Sequence, residues 1–252
     1  MRFPKLPARA AYIHLNNPAR RNALSLEVLE DLRSQLLTNL TSPKSGRLMT
    51  LPPFKPGILH ELERVSERAA PDSKETSEHS WLVDANAWAE ERAALPNVLL
   101  RPVPVFSSGH DLKQLASLSH AEVKRTFALC AEVMSLIRHS PAPVVCPIQG
   151  LATAAGLQLA LSTDYPIALS TTSVRGTCRG GGGAIGGLGR SADGTWGMGL
   201  GINGKEQDGK GGDGYEDAAS WAGRVMALHA RAADSREGIA AFTEKRKPSW
   251  KT

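Results

Sequence analysis

Apolar positions recur at helical spacing in two long stretches of this chain. Leu29, Leu32, Leu36 and Leu40 fall three and four residues apart behind Ser25, a residue suited to cap a helix, with Glu27 in the first turn, where its charge suits the helix dipole. Val123, Phe127, Cys130, Met134 and Ile137 repeat the pattern after the capping-box sequence Ser119-His120-Ala121-Glu122, and Ser140-Pro141-Ala142-Pro143 ends the run. Short apolar runs of strand length lie at 12–15, 98–100, 144–148 and 165–169. After residue 150 a further helix is predicted, packing through Leu157, Leu159, Ala160 and Leu161. Strand, helix, strand, helix, strand in this order predicts right-handed crossovers and parallel pairing, hence an α/β fold.

Two joints in that order share one character. Phe106-Ser107-Ser108-Gly109-His110-Asp111-Leu112 and Gly150-Leu151-Ala152-Thr153-Ala154-Ala155-Gly156 each take a strand through small residues into a helix. Backbone N–H groups at such a turn lack intrahelical partners, so two turns side by side can aim two donors at one polarised carbonyl oxygen.

Elsewhere the periodicity fails. Between Ser42 and Ser80, Pro, Ser, Lys and Glu accumulate without a strong apolar pattern, although 58–65 and 81–95 are predicted as short helices. Of the chain's 24 glycines, 17 fall between Gly176 and Gly214, a tract too poor in apolar surface to offset the entropy of ordering it, and therefore expected to be disordered. Gly181-Gly182-Gly183-Ala184-Ile185-Gly186 matches G-x-G-x-x-G only because glycine saturates the tract, and no amphipathic helix follows. The expected division is 1–40 (strand, turn, helix), 41–97 (insert or linker), 98–170 (core with both turns), 171–215 (Gly-rich segment) and 216–252 (terminal helices).

Charge narrows the partners. A net charge of +5 and a pI near 9.2 would suit a nucleic-acid binder, but the cations are dispersed apart from Arg20-Arg21 and Lys245-Arg246-Lys247, and no aromatic residues interleave with them. Two small clusters suit the phosphates of a nucleotide-bearing cofactor, and nucleic acid is not expected. No apolar run is long enough to cross a membrane. Three cysteines without C-x-x-C spacing argue against a disulfide framework and a zinc site, and no metal is expected; Cys130 and Cys146 sit among apolar residues as core. Residues 1–26 carry five Arg or Lys and no acid, as a transit peptide does, yet the strand at 12–15 already belongs to the fold.

The two turns resemble the signature elements of the crotonase (enoyl-CoA hydratase/isomerase) superfamily. Asn17-Pro18-Ala19-Arg20-Arg21-Asn22-Ala23-Leu24 is similar to that family's Pro-x-x-x-Asn-Ala-Leu loop around the adenine end of coenzyme A. Residues 236–250 resemble its terminal helix, with the pattern E-G-x-x-A-F-x-E-K-R. The resemblance covers 10–40, 98–170 and 216–250. It implies a crotonase-like spiral of ββα units, here interrupted by the insert and the Gly-rich tract. It also implies an oxyanion hole from the backbone N–H groups of His110 and Ala155, with Ser108, Gly109, Asp111, Leu112 and Gly156 around the substrate. Arg20, Arg21, Ala23, Phe242 and Lys245 would contact coenzyme A. The ligand implied is an acyl-CoA, with no tightly bound cofactor. The assembly implied is a homotrimer or hexamer, weakened where the family's segment after 170 is replaced. The compartment implied is the mitochondrial matrix, or the cytoplasm if no presequence operates.

Two departures bear on the chemistry. The family's two hydratase glutamates are absent: Gln158 stands at the first position, and an amide is no general base, while the second position is lost to the Gly-rich tract. His110 is expected to act through its backbone, its imidazole lying in solvent. Three readings follow: a lyase-like acyl-CoA enzyme with altered chemistry, a non-catalytic acyl-CoA-binding regulator, or a non-functional chain from a faulty gene model. For 41–97 the alternatives are a surface insertion or retained non-coding sequence, the latter favoured.

Overall fold

Parallel strands and the helices between them form the scaffold of this computed structural model. It describes residues 9–52, 56–67, 80–102, 105–168, 172–175, 188–190, 196–198, 223–224, 226–227, 230 and 233–249. Strands β1 (Ala10–Leu15), β2 (Asn97–Pro102), β3 (Val144–Ile148) and β5 (Tyr165–Ala168) pair in that order, every pair parallel. Strand β4 (Leu151–Thr153) leaves this sheet and pairs in parallel with β6 (Ser173–Arg175) in a second one. The parallel α/β arrangement expected of a crotonase-like chain is borne out.

Helices α1 (Leu26–Leu40) and α5 (His120–Arg138) pack on each other over the four-stranded sheet. The predicted stripes are the buried faces: Leu29, Leu32, Leu36 and Leu40 are at most 1% exposed, and Val123, Phe127, Cys130, Met134 and Ile137 are buried. Each fully buried leucine contributes roughly 2 kcal/mol through the apolar area it removes from water. Ser25 accepts from the Val28 N–H at 3.3 Å, and Ser119 and Glu122 complete the reciprocal capping box. Burial pushes the thiols of Cys130 and Cys146 up to about 12, which leaves both as inert core groups.

Residues 41–97 contain α2 (Pro56–Glu67), a 3₁₀ turn at Ser80–Leu82 and α3 (Ala85–Ala94). The helix predicted over 81–95 therefore starts later, at the Asp84 cap, which accepts from the N–H groups of Asn86 and Ala87. Met49, Trp81, Leu95 and Ala142 form a small second core there, with the Trp81 and Trp88 rings stacked at 5.4 Å. Glu91 is buried beside this core, and the Ser42 hydroxyl holds its carboxyl below the usual range.

One expectation changes. Leu157, Leu159 and Ala160 on α6 (Ala155–Leu161) are buried, but Leu161, the last residue of the helix, is 42% exposed. Within the tract expected to be disordered, β7 (Leu188–Arg190) and β8 (Trp196–Met198) pair antiparallel; the rest of 176–214 and Cys178 lie outside the described residues. The start of regular structure at 216 also lies outside them. Helix α7 (Ala233–Glu244) packs against α4 (Leu112–Ser117).

Candidate functional site

Three turns that are distant in sequence meet at one edge of the parallel sheet. Ser107 bridges Ala152: its N–H donates to the Leu151 carbonyl at 3.0 Å and its carbonyl accepts from the Thr153 N–H at 3.2 Å. Three residues on, His110 of the same segment bridges Leu24. The Leu24 N–H donates to the Gly109 carbonyl at 2.8 Å, and the Asp111 N–H donates to the Leu24 carbonyl at 3.3 Å. Those two bonds bracket His110. Because successive peptide groups of an extended segment face opposite sides, the N–H of His110 points away from Leu24. It has no backbone partner among the described residues, and neither does the N–H of Ala155 at the start of α6.

Side chains were removed from this junction by composition. A Cβ on Gly109, whose φ is +84°, would stand 3.0 Å from the Ala154 Cβ, 3.1 Å from the Thr153 carbonyl oxygen and 3.5 Å from the Ala155 nitrogen. Only glycine takes that φ without strain, and only glycine leaves the Ala155 N–H uncovered. On Gly156 a Cβ would meet Ser107 at 2.6 Å, so α6 reaches the first turn only through its missing side chain. Ser107 itself is fully buried; its Oγ donates to the Asn22 carbonyl at 2.8 Å and accepts from the Gly109 N–H at 3.2 Å.

The 17–24 turn is tied in by Asn22, which is fully buried with φ of 52°. Its Oδ1 accepts from the Asn17 N–H at 2.9 Å, and its Nδ2 donates to the Val105 carbonyl at 2.7 Å. The Arg21 carbonyl accepts from the Ser108 N–H at 3.1 Å. Arg20 donates to Asp111 at 2.5 Å, while Asp111, only 6% exposed, also caps α4 by accepting from the Gln114 N–H at 3.1 Å. Asp111 is thus a strut between the first two turns, and the guanidinium of Arg20 is engaged with it. Arg21 has φ of 53°, and Ala23 is buried, its carbonyl accepting from the Ser25 N–H at 3.0 Å.

His110, Gly109, Ser108, Asp111, Leu112, Ala155, Gly156, Arg20, Arg21 and Ala23 therefore gather in the three turns. Gln158 lies on the first turn of α6, one helical turn beyond Ala154, whose carbonyl accepts the Gln158 N–H at 3.1 Å. Phe242 and Lys245 stand on or just past α7, beside the site through α4 rather than in the turns. Ala241 is the buried residue of that stretch, and Phe242 is 72% exposed.

The imidazole of His110 is not in solvent as expected. It packs edge-on to Phe127 with ring centroids 4.9 Å apart, and its Nδ1 is buried without a hydrogen-bond partner among the described residues. Burial lowers its pKa to about 4, so the ring is neutral at physiological pH. In the unfolded chain it titrates near 6.5, so the unfolded state binds the extra proton first as pH falls. Stability is therefore full above about pH 6.5 and declines toward pH 4. Melting temperatures measured across that window are expected to fall with pH in the natural chain and to flatten in His110→Leu; equal slopes would refute the buried ring.

Two positions were not singled out from the sequence. Asn22 carried a signal, since asparagine tolerates the left-handed backbone of a turn. Ala154 carried none: it precedes α6 with φ of 49° and ψ of −127°, a conformation that favours glycine and costs an alanine on the order of 1–3 kcal/mol.

Among the described residues, no His, Cys, Asp or Glu group gathers as a metal site, and no helix is long and apolar enough to cross a membrane.

The chain is similar to known proteins over part of its length. The family model for enoyl-CoA hydratase/isomerase matches residues 89–184. Enoyl-CoA hydratase domain-containing protein 3, mitochondrial, of Mus musculus is 36% identical over 165 residues, covering 64% of this chain and 38% of that protein. The Danio rerio protein of the same name is 33% identical over 157 residues, covering 62% and 37%. The match thus spans little more than a third of the length of these curated relatives. The crystal structure of human enoyl coenzyme A hydratase domain-containing protein 3 aligns over 98% of both chains, with 20% identity and a TM-score of 0.43.

Proposed function

We propose, from its similarity to the enoyl-CoA hydratase/isomerase family model over residues 89–184, that the chain is a member of that family, binds a coenzyme A thioester and polarises its carbonyl with the backbone N–H groups of His110 and Ala155. The observation that supports this reading is the close approach of the two turns at Gly109, where neither donor has a backbone partner among the described residues. As a hydroxide or buffer base from solvent takes an α-proton from the thioester, charge builds on the carbonyl oxygen, and each preorganised donor lowers that barrier by roughly 3 kcal/mol. Ser108, Gly109, Asp111, Leu112 and Gly156 surround the acyl end. The 17–24 turn takes the adenine end, with Arg21 and Lys245 near its phosphates and Phe242 beside the base.

Hydration is not part of this reading. An amide at Gln158 cannot activate water, and the neutral imidazole of His110 is turned into Phe127 rather than offered as a base. The Gln158 amide also favours a second reading, in which the pocket binds acyl-CoA as a sensor without turnover. Residence in the mitochondrion belongs to the same proposal, since the curated relatives are named mitochondrial.

A thermal melt with crotonyl-CoA, and with crotonyl pantetheine as the control lacking adenine, tests the binding. At a hundred times Kd a ligand specific for the folded chain stabilises it by about 2.7 kcal/mol. The transition is expected to rise with the CoA ester and less with the pantetheine. A melt indifferent to both removes the proposal, and Gln158→Glu is expected to gain measurable hydration of crotonyl-CoA if the pocket is correctly assigned.

A further inference from the structure

We infer that Ala154 is a positioning residue: its strained backbone and its methyl, lodged against Gly109, fix the direction in which the Ala155 N–H points. The inference rests on the oxyanion reading above and concerns a residue outside the donor pair. The N–H of Ala155 belongs to the peptide plane whose rotation is ψ of Ala154, held at −127° with φ at 49°. One end of that plane is anchored, because the Ala154 carbonyl accepts the Gln158 N–H at 3.1 Å in the first turn of α6. An alanine in an ordinary extended or helical conformation would rotate the plane and turn the N–H away.

What maintains the strain is packing on both sides. The Ala154 Cβ is 3.0 Å from where a Cβ of Gly109 would stand, so methyl and missing methyl interlock at the meeting of the two turns. Gly156, two residues further on, is pressed onto Ser107 with no free space. Thr153, immediately ahead, is bonded to the same serine. The chain is pinned on either side of Ala154, so the residue absorbs the mismatch between strand and helix, as strained positions at functional sites do. A glycine here would take the same φ without strain, but it would lose the interlock and gain freedom to flip the plane.

The experiment compares the natural chain with Ala154→Gly and Ala154→Ser, the serine retaining a Cβ. It follows exchange of the α-protons of butyryl-CoA with deuterium by mass spectrometry, the melting temperature, and the Ala155 amide resonance. Ala154→Gly is expected to melt at or above the natural chain and to exchange about tenfold more slowly at saturating ligand. Its KM should stay within twofold, and its Ala155 amide should broaden by conformational exchange. Ala154→Ser is expected to stay within threefold of the natural rate. A glycine variant with the natural rate and a sharp amide overturns the inference, as does one whose rate falls only in step with its melting temperature. A natural chain that fails to exchange, with the amide behaving as described, removes the oxyanion reading and leaves the positioning of the N–H standing.

Discussion

Replacing Gly156 by alanine lowers the melting temperature by roughly 6–12 °C, the consequence of about 3 kcal/mol of overpacking in a domain of this size. The added Cβ would lie 2.6 Å from the Cβ of Ser107, 2.7 Å from its Oγ and 2.8 Å from its carbonyl oxygen. None of these can yield cheaply. The carbonyl is bonded to Thr153, the hydroxyl to Asn22, and the residue is fully buried. Either α6 moves away from the first turn or the first turn moves away from Leu24, and both separate His110 from Ala155. Loss of acyl-CoA binding should therefore accompany the loss of stability. Differential scanning calorimetry checks it; a variant melting within about 2 °C of the natural chain would mean that the two turns do not touch.

Asn22→Ala is expected to cost at least about 3 kcal/mol, from two causes that separate experimentally. Truncation leaves the Asn17 N–H and the Val105 carbonyl without their side-chain partners in a buried junction, at roughly 1–3 kcal/mol for each group left unsatisfied. It also leaves alanine at φ of 52° without the local hydrogen bonding by which asparagine tolerates that backbone, at roughly 1–2 kcal/mol. Asn22→Gly incurs only the first cause, so its denaturation midpoint should lie between those of the natural chain and the alanine variant. Equal midpoints for Gly and Ala would assign the whole effect to the hydrogen bonds, and an unaffected alanine variant would contradict the burial of the turn. Because this turn fastens the 105–109 segment, both variants should also weaken acyl-CoA.

Local pattern determined much of this protein without reference to its tertiary structure. The leucine stripe of α1, the capped stripe of α5 and the apolar runs of β1, β2, β3 and β5 were legible because periodicity and caps act over a few residues. Parallel pairing followed from their order, since a strand reached through a helix returns in the same direction. Gly109, His110, Ala155 and Gly156 were legible as a pair of small-residue turns, and Gln158 as an amide at the position where the family resemblance implies a carboxylate.

Only the tertiary structure decided what those residues became. The imidazole of His110 is buried because Phe127, seventeen residues away on another helix, packs against its ring. The guanidinium of Arg20 is engaged because the fold brings Asp111 to it across 91 residues. Leu161, the last residue of α6, is exposed despite its apolar neighbours. Alanine at 154 gives no local sign of a left-handed backbone; the strain exists because strand, helix and Ser107 are each held by partners elsewhere. Sequence pattern specifies what a residue can do over one or two turns of chain. Which neighbour it meets, and hence its protonation, strain and exposure, is set by contacts between segments far apart along the chain.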